Sequence, residues 1–409
     1  MKLLSVRAAQ RRITRRVFPV GTEKVPLARG LGRVLATDVY STELPLFDNS
    51  SVDGFAVVAA DLATATVVRP RRLSVVADIP AGSSPKMRLR PGEAARIMTG
   101  APIPRNATAV IMVEDTDYAK QPAGAGMPES IRAFRRLRPG TNIRLRGSDV
   151  RRGRRVLMAG GRLRSQDLGL LAMLGISQVL AYRLPRVALL SSGNELIPPG
   201  RPLRPGGIRD ANSTTLAALI GEAGCEVIRL GVARDTVRAI KLLLDRAILQ
   251  RADFVVSSAG VSVGALDLMR AAIKECGQLH FWRADVRPGK PLAVGEYRGV
   301  PYVGLPGNPV SAFVGFELFV RPALGRLAGL KATARHNVRV IITEHVESDG
   351  RESYLRAVVT ERDGKYVARL TGYQGSSNLL SLVQANALLI VPAGVKSLSV
   401  GDQARAWLL

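Results

Sequence analysis

Cysteine is nearly absent from this chain. Its two copies, Cys225 and Cys276, form no C-x-x-C pair and read as reduced core thiols of a cytoplasmic protein. Histidine is almost as scarce. His280, His336 and His345 are scattered without metal-ligand spacing, which argues against a histidine zinc site and a Ser-His-Asp triad. Aromatics make up only 5% of the 409 residues. No run interleaves them with basic residues, as base stacking requires. No window is apolar enough to span a membrane. The amino terminus has basic residues but no apolar segment between them, so it is not a secretory signal.

Basic charge, by contrast, is abundant. Lys and Arg number 59 against 33 Asp and Glu, a net charge of +26. Such a field favours anionic partners. Arginines are spread through every segment, so nucleic acid is disfavoured and small anionic substrates are the better match. Apolar residues at 46% support real cores, and the length suits two to four domains.

Asp253 to Asp267, D-F-V-V-S-S-A-G-V-S-V-G-A-L-D, organises the chain. Phe254–Val256 is a short β-branched run that predicts a strand buried on both faces. Ser257, Ser258, Gly260, Ser262 and Gly264 then let the backbone approach a ligand and aim N–H groups at an anion. A helix follows. Asp267 is read either as its N-cap or as a site carboxylate. Val187–Leu190 predicts a similar strand ending at S-S-G-N-E-L, with Ser191, Gly193 and Glu195. Tyr302–Leu305 runs into L-P-G-N-P, with Pro306, Gly307, Asn308 as N-cap and Pro309 at the first helical position. Strands alternating with helices imply a parallel, doubly wound sheet. The carboxyl ends of its strands share one edge, so the three turns converge on one crevice. Arg283, Arg287 and Lys290, in R-A-D-V-R-P-G-K-P, add cations suited to an oxyanion. Glu195 and Asp267 add carboxylates suited to Mg²⁺.

Around this sheet the chain changes character. Residues 45–149 read as a small β-rich domain, with strand-like runs Phe55–Ala59, Leu73–Ile79, Ala95–Met98, Ala109–Val113 and Ile131–Phe134. It carries F-D-N-S-S-V-D-G-F-A-V around Asp53, R-I-M-T-G-A-P-I-P around Thr99, and R-L-R-G-S-D from Arg144 to Asp149. Asp149, among cations, is expected to stay ionised. A first helix, a second short helix over Leu27–Leu35, and Asp235 opening the helix that carries Val237 are also predicted. Residues 326–409 read as a small β-barrel or sandwich.

These motifs, in this order, resemble those of the molybdopterin molybdenumtransferases, the family of MoeA and the gephyrin E domain. The resemblance implies an α/β multi-domain fold. Residues 1–44 and 150–182 would form a discontinuous N-terminal helical and linker domain, and 45–149 the β-rich domain. Residues 183–325 would form the molybdopterin-binding, parallel doubly wound α/β domain, and 326–409 a C-terminal β-barrel-like domain. It also implies insertion of molybdate into adenylylated molybdopterin, Mg²⁺-dependent, with release of AMP. The working form would be a homodimer whose cleft joins the sheet domain of one subunit to the β-rich domain of the other, with a molybdopterin adenylyltransferase as a possible partner. By motif position Asp53, Thr99, Arg144, Asp149, Glu195, Asp267, Pro306 and Pro309 correspond to its functional set. Asp267, Glu195, Asp53 and Asp149 would be catalytic, and Asp267 with Glu195 would serve the metal. The serines Ser257, Ser258 and Ser262 and nearby amides would hold phosphates, while Arg283, Arg287 and Lys290 gather molybdate. Ala259 and Ala265 depart from the family's usual glycine and acid. Ala265 leaves open a second reading, a non-catalytic scaffold of the same fold.

Overall fold

The computed structural model describes residues 3–122, 125–258, 263–331 and 335–409, with the side chains of 263–266 and 281–282 set aside. The described residues fall into two compact units. One comprises 1–37, 159–172 and 176–409, the other 38–158 and 173–175.

The first unit is built on a six-stranded sheet. Its strands in chain order are β1 (Arg186–Ser192), β2 (Glu226–Ala233), β3 (Phe254–Ser258), β4 (Gly277–Arg283), β5 (Pro291–Tyr297) and β6 (Val300–Leu305), arranged β2-β1-β3-β6-β5-β4. β2, β1, β3 and β6 are mutually parallel. The parallel, doubly wound arrangement holds for these four strands, and at the other half of the sheet β5 runs antiparallel to both β6 and β4. The cause is local. Only Arg298 and Gly299, with φ of 47° and 78°, separate β5 from β6. A two-residue turn with both φ positive can join only antiparallel strands.

β1 shows why the parallel strands are continuously apolar. Val187 and Leu189 belong to one core and Ala188 and Leu190 to another, on opposite faces of the sheet. On the first face pack α1 (Val6–Thr14), α2 (Ala211–Glu222) and the helical run from α5 (Pro309–Gly315) through Leu327. On the second pack α3 (Val237–Leu249) and α4 (Val263–Lys274). Each buried aliphatic side chain contributes roughly 1.5–3 kcal/mol.

The predicted helix over 27–35 is not formed. A single 3₁₀ turn spans Leu27–Arg29, and Leu31 is exposed. Gly30 and Gly32, the latter at φ 75°, break it, since each glycine costs a helix about 1 kcal/mol. The same stretch follows a strand, Thr22–Pro26, paired with Gln178–Tyr182.

The tail of this unit holds β7 (Asn337–Ile342), β8 (Glu352–Arg362), β9 (Lys365–Leu370), β10 (Ala387–Val391) and β11 (Gln403–Leu408). They pair in the order β8-β9-β7-β11-β10, and β10 returns to β8, closing a five-stranded barrel. The second unit is a five-stranded sheet in the order Ala109–Met112, Gly54–Val57, Glu93–Ile97, Arg71–Ile79, Ser130–Ala133. Its arginine-rich stretch is not a bare basic face, because Arg135 pairs with Asp115, Arg146 with Glu43 and Arg155 with Asp38.

Candidate active site

The strand register brings the small-residue turns together. Ser191 at the end of β1 lies beside Ser258 at the end of β3, which lies beside Leu305 at the end of β6. The turns after β1 and β6, and the start of α4, therefore sit along one edge. Gly260 and Ser262, with Ala259, lie outside the described residues, and Gly264 lies in the first turn of α4.

Hydroxyls line this edge. The Ser191 Oγ is 2.8 Å from both Ser258 Oγ and Ser213 Oγ, and Ser213 donates to Asp210 at 2.5 Å. Asp210 also caps α2 by accepting from the Ser213 amide. Ser257, one residue earlier on β3, points the other way and bonds the Tyr302 hydroxyl, so it is a core contact rather than a rim residue. The Ser192 hydroxyl is buried without a hydrogen-bond partner among the described residues. An orphan hydroxyl costs about 1–3 kcal/mol. Sequence reasoning passed over it, although it sits inside the S-S-G-N-E-L motif. Beside the serines a cavity of about 700 Å³ is lined by Gly193, Asn194, Asp210, Ser213, Thr214 and Arg204 among others, within the range of small-molecule sites.

Glu195 is exposed, and its carboxylate folds back over Gly193. A Cβ on Gly193, whose φ is 153°, would stand 2.7 Å from both carboxylate oxygens. Gly193→Ala is therefore expected to displace Glu195 and lower turnover on the order of 10²-fold while the fold persists. Steady-state kinetics beside a circular-dichroism melt checks this. Next to Glu195, the Asn194 amide donates to Asp235, and the Asp235 amide returns a bond to the Asn194 side chain. Asp235 does not open α3, as the sequence suggested. Thr236 is the N-cap and accepts from the Ala239 amide, which leaves Asp235 to hold the Glu195 turn.

Asp267 is no N-cap either. α4 begins at Val263, so Asp267 lies in its second turn, exposed and without a hydrogen bond or ion pair among the described residues. The L-P-G-N-P turn is clamped from two sides. Asn212 donates to the Gly307 carbonyl at 2.7 Å, and Asn308 donates to Ser376 at 2.9 Å. Pro306 is buried, and Pro309 takes the first helical position of α5.

The cations occupy the same edge. β4 runs parallel to β6, so Arg283 ends β4 on the side where Ser258 and Leu305 end, and Lys290 directly precedes β5 there. Three strand spacings separate β3 from β4, about 14 Å. The hydroxyl and carboxylate half thus stands apart from the cationic half by the length of an extended small molecule. Val286–Arg287 pairs with Glu352–Ser353 of the barrel, which brings in a residue the sequence did not flag. Arg356 on β8 is buried, and among the described residues its guanidinium hydrogen-bonds Ser381 Oγ and the Gly375 carbonyl. Burial, then the charge of Arg287, lowers its pKa to about 10. Among the described residues no carboxylate pairs with it, as a buried guanidinium normally requires. Nothing in its local sequence, E-S-Y-L-R-A, announces this.

In the second unit, the strand around Asn49–Ser50 pairs with Ile143–Arg144 and contacts the Met98–Pro102 turn on its other side. Asp53 and Arg144 are thereby brought onto one loop cluster. Arg144 is ion-paired with Asp149. The Thr99 amide and hydroxyl both donate to Asp53 Oδ1 at 2.7 Å. These two bonds, against a smaller effect of burial, hold the Asp53 carboxyl below its ordinary pKa. Thr99→Val is expected to raise it, seen as a shift of the Asp53 carboxyl NMR titration toward higher pH.

Fold and site together define a class: multi-domain α/β proteins with a small-residue, anion-receptive sheet edge. Three family models cover the chain. The MoeA N-terminal region (domain I and II) matches 4–175, the probable molybdopterin binding domain 188–326, and the MoeA C-terminal region (domain IV) 339–409. Molybdopterin molybdenumtransferase 2 of Mycobacterium tuberculosis is 38% identical, covering 94% of each chain. The molybdopterin molybdenumtransferase of Nostoc sp. is 39% identical over 93% of this chain and 87% of its own. The crystal structure of the molybdopterin biosynthesis moeA protein from Pyrococcus horikoshii OT3 superposes with a TM-score of 0.83 at 32% identity, covering 100% of both chains. The chain belongs to the molybdopterin molybdenumtransferase family and is a transferase of molybdenum cofactor biosynthesis.

Proposed function

We propose that this enzyme inserts molybdate into adenylylated molybdopterin and releases AMP. The observation that carries the reading is a set of uncommitted charges on one sheet edge. The side chains of Glu195, Asp267, Arg283 and Lys290 have no hydrogen bond or ion pair among the described residues, and all four stand at or beside the carboxyl edge of one sheet. The serine half, with the orphan Ser192 hydroxyl, suits the phosphates and the adjoining cavity suits the nucleoside. The cationic half, with Arg287 and the unpaired Arg356, suits molybdate as an oxyanion substrate.

The donor set also fits Mg²⁺. It offers carboxylates and hydroxyls and no thiol or imidazole. No group of three His, Cys, Asp or Glu forms a protein cage among the described residues. Mg²⁺ prefers such a site, held by one or two carboxylates together with substrate phosphates. Glu195 and Asp267 would hold it, and when bound it supplies charge neutralisation at the anhydride.

Following the resemblance, we read the working form as a homodimer in which Asp53, Thr99, Arg144 and Asp149 of one subunit complete the site of its partner. Mixing Asp53→Asn with Asp267→Asn protein should then restore part of the activity that each lacks. A molybdopterin adenylyltransferase is the natural supplier of the substrate. The free thiols Cys225 and Cys276 suit a reducing cytoplasm. The non-catalytic alternative is the weaker one, since the curated relatives spanning the chain are named as transferases. The test combines purified protein, adenylylated molybdopterin, Mg²⁺ and molybdate and follows AMP. Release that depends on both the metal and molybdate supports the reading, and no release from folded protein rejects it.

A further inference from the structure

Resting on the reading of the cavity beside the serines as the place of the nucleoside, we infer that Asp210 and Ser213 hold its ribose and select ribonucleotides over deoxyribonucleotides. Among the described residues three acids are buried, Asp167, Asp210 and Glu317. Arg164 holds Asp167, and Arg321 and Arg335 hold Glu317. Asp210 has no cation partner among the described residues, although Arg204, Arg229 and Arg234 line the same cavity. A buried charge without a countercharge is costly unless hydrogen bonds make up for it. Asp210 borders open volume rather than packed core, so a ligand can supply them.

The hydrogen bonds present fix what this corner offers. Asp210 accepts from the Ser213 amide through Oδ1 at 3.0 Å and from the Ser213 hydroxyl through Oδ2 at 2.5 Å. Ser213 has one hydroxyl proton and has given it to Asp210, so it accepts from Ser191. Ser191 has then spent its own proton and accepts from Ser258. Every hydroxyl proton of this chain points toward the carboxylate. Asp210 and Ser213 are left with lone pairs only. Such a corner repels a phosphate and calls for a ligand that donates. Two neighbouring acceptors, Oδ2 and the Ser213 Oγ, match the two adjacent hydroxyls of a ribose, a group that acidic side chains hold in other nucleotide sites. Leu196, Pro198 and Pro199 in the same lining give the base an apolar wall. The phosphates fall to the amides of the small-residue turns.

Isothermal titration of the full chain with AMP, 2′-deoxy-AMP and 3′-deoxy-AMP tests this. Wild type is expected to bind AMP about tenfold or more tightly than either analogue. Asp210→Asn keeps the side-chain volume and a good helix cap, so its circular-dichroism melt should match wild type. Its amide donates where a carboxylate oxygen accepted. AMP should therefore weaken about tenfold while the deoxy analogues stay within about twofold, and the preference disappears. An Asp210 that served the fold alone would weaken all three nucleotides together, and that pattern overturns the ribose assignment. So does equal binding of the three by wild type, or AMP that fails to bind at millimolar concentration to protein that releases it. A free pterin whose binding is lost in Asp210→Asn, while AMP affinity is kept, would overturn the choice of ligand. Failure of wild type to release AMP at all, by contrast, rejects the proposed function itself.

Discussion

Glutamine in place of Glu195 is expected to slow AMP release by roughly 10²- to 10³-fold and to leave the melting temperature unchanged. The two halves of that expectation have different causes. Glu195 is exposed and its side chain makes no ion pair or hydrogen bond among the described residues, so removing its charge costs the native state almost nothing. Its carboxylate lies over Gly193 at the end of β1, and the Asn194–Asp235 pair fixes the backbone of the turn beside it. A charge positioned without a partner acts on what binds there. Glutamine keeps the volume and removes only the charge. The concentration of Mg²⁺ giving half-maximal rate should rise in parallel. Turnover within a few-fold of wild type would remove Glu195 from the chemistry, and an unchanged Mg²⁺ requirement would remove it from the metal.

Glu317→Ala should have the largest effect on stability, a loss of about 3–5 kcal/mol. Glu317 is fully buried in the π-helical turn Phe316–Val320. It accepts from Arg321 at 2.7 and 2.8 Å and from Arg335 at 2.8 Å through two nitrogens. Arg335 leads directly into β7, so this carboxylate pins the start of the barrel to the helices beneath the sheet. Alanine would strip Arg335 of its carboxylate and leave Arg321, among the described residues, with only the longer contact to Glu222 at 3.4 Å. Burial opposes ionisation of Glu317, but the hydrogen bonds from Arg335 and Arg321 outweigh it and hold the pKa below the ordinary value of 4.5. A carboxyl depressed in the folded state stabilises above its unfolded pKa and loses that contribution as pH falls through the folded value. Urea midpoints measured from neutral pH down through the acid range should therefore converge between wild type and variant below pH 4.5. A midpoint for Glu317→Ala equal to wild type at neutral pH would refute the pin.

Much of the fold was legible because its signals are local. Apolar β-branched runs bounded by serine and glycine mark β1, β3 and β6, and the strand-like runs at 55–59 and 73–79 overlap members of one sheet. The helix at 27–35 failed because two glycines outweighed a four-residue apolar pattern. Asp235 reads as a helix cap and is not one, because which of several polar residues caps is decided by where the chain turns, not by residue type. For Asp267 the cap and site readings stand side by side in the sequence, and its place inside α4 removes the first.

The sequence by itself determined that small-residue corners end successive strands, and parallel topology then obliges those corners to share a rim. It also determined the chemistry available there, oxygen donors and cations without thiol or imidazole. Only the tertiary structure decided which of these groups are spent and which are left over. Ser257 is consumed by Tyr302, whereas Ser192 is stranded. Arg356, from the distant barrel, is buried beside Arg287 without an acid. Whether a polar group is paired depends on neighbours hundreds of residues away, and no local pattern carries that information.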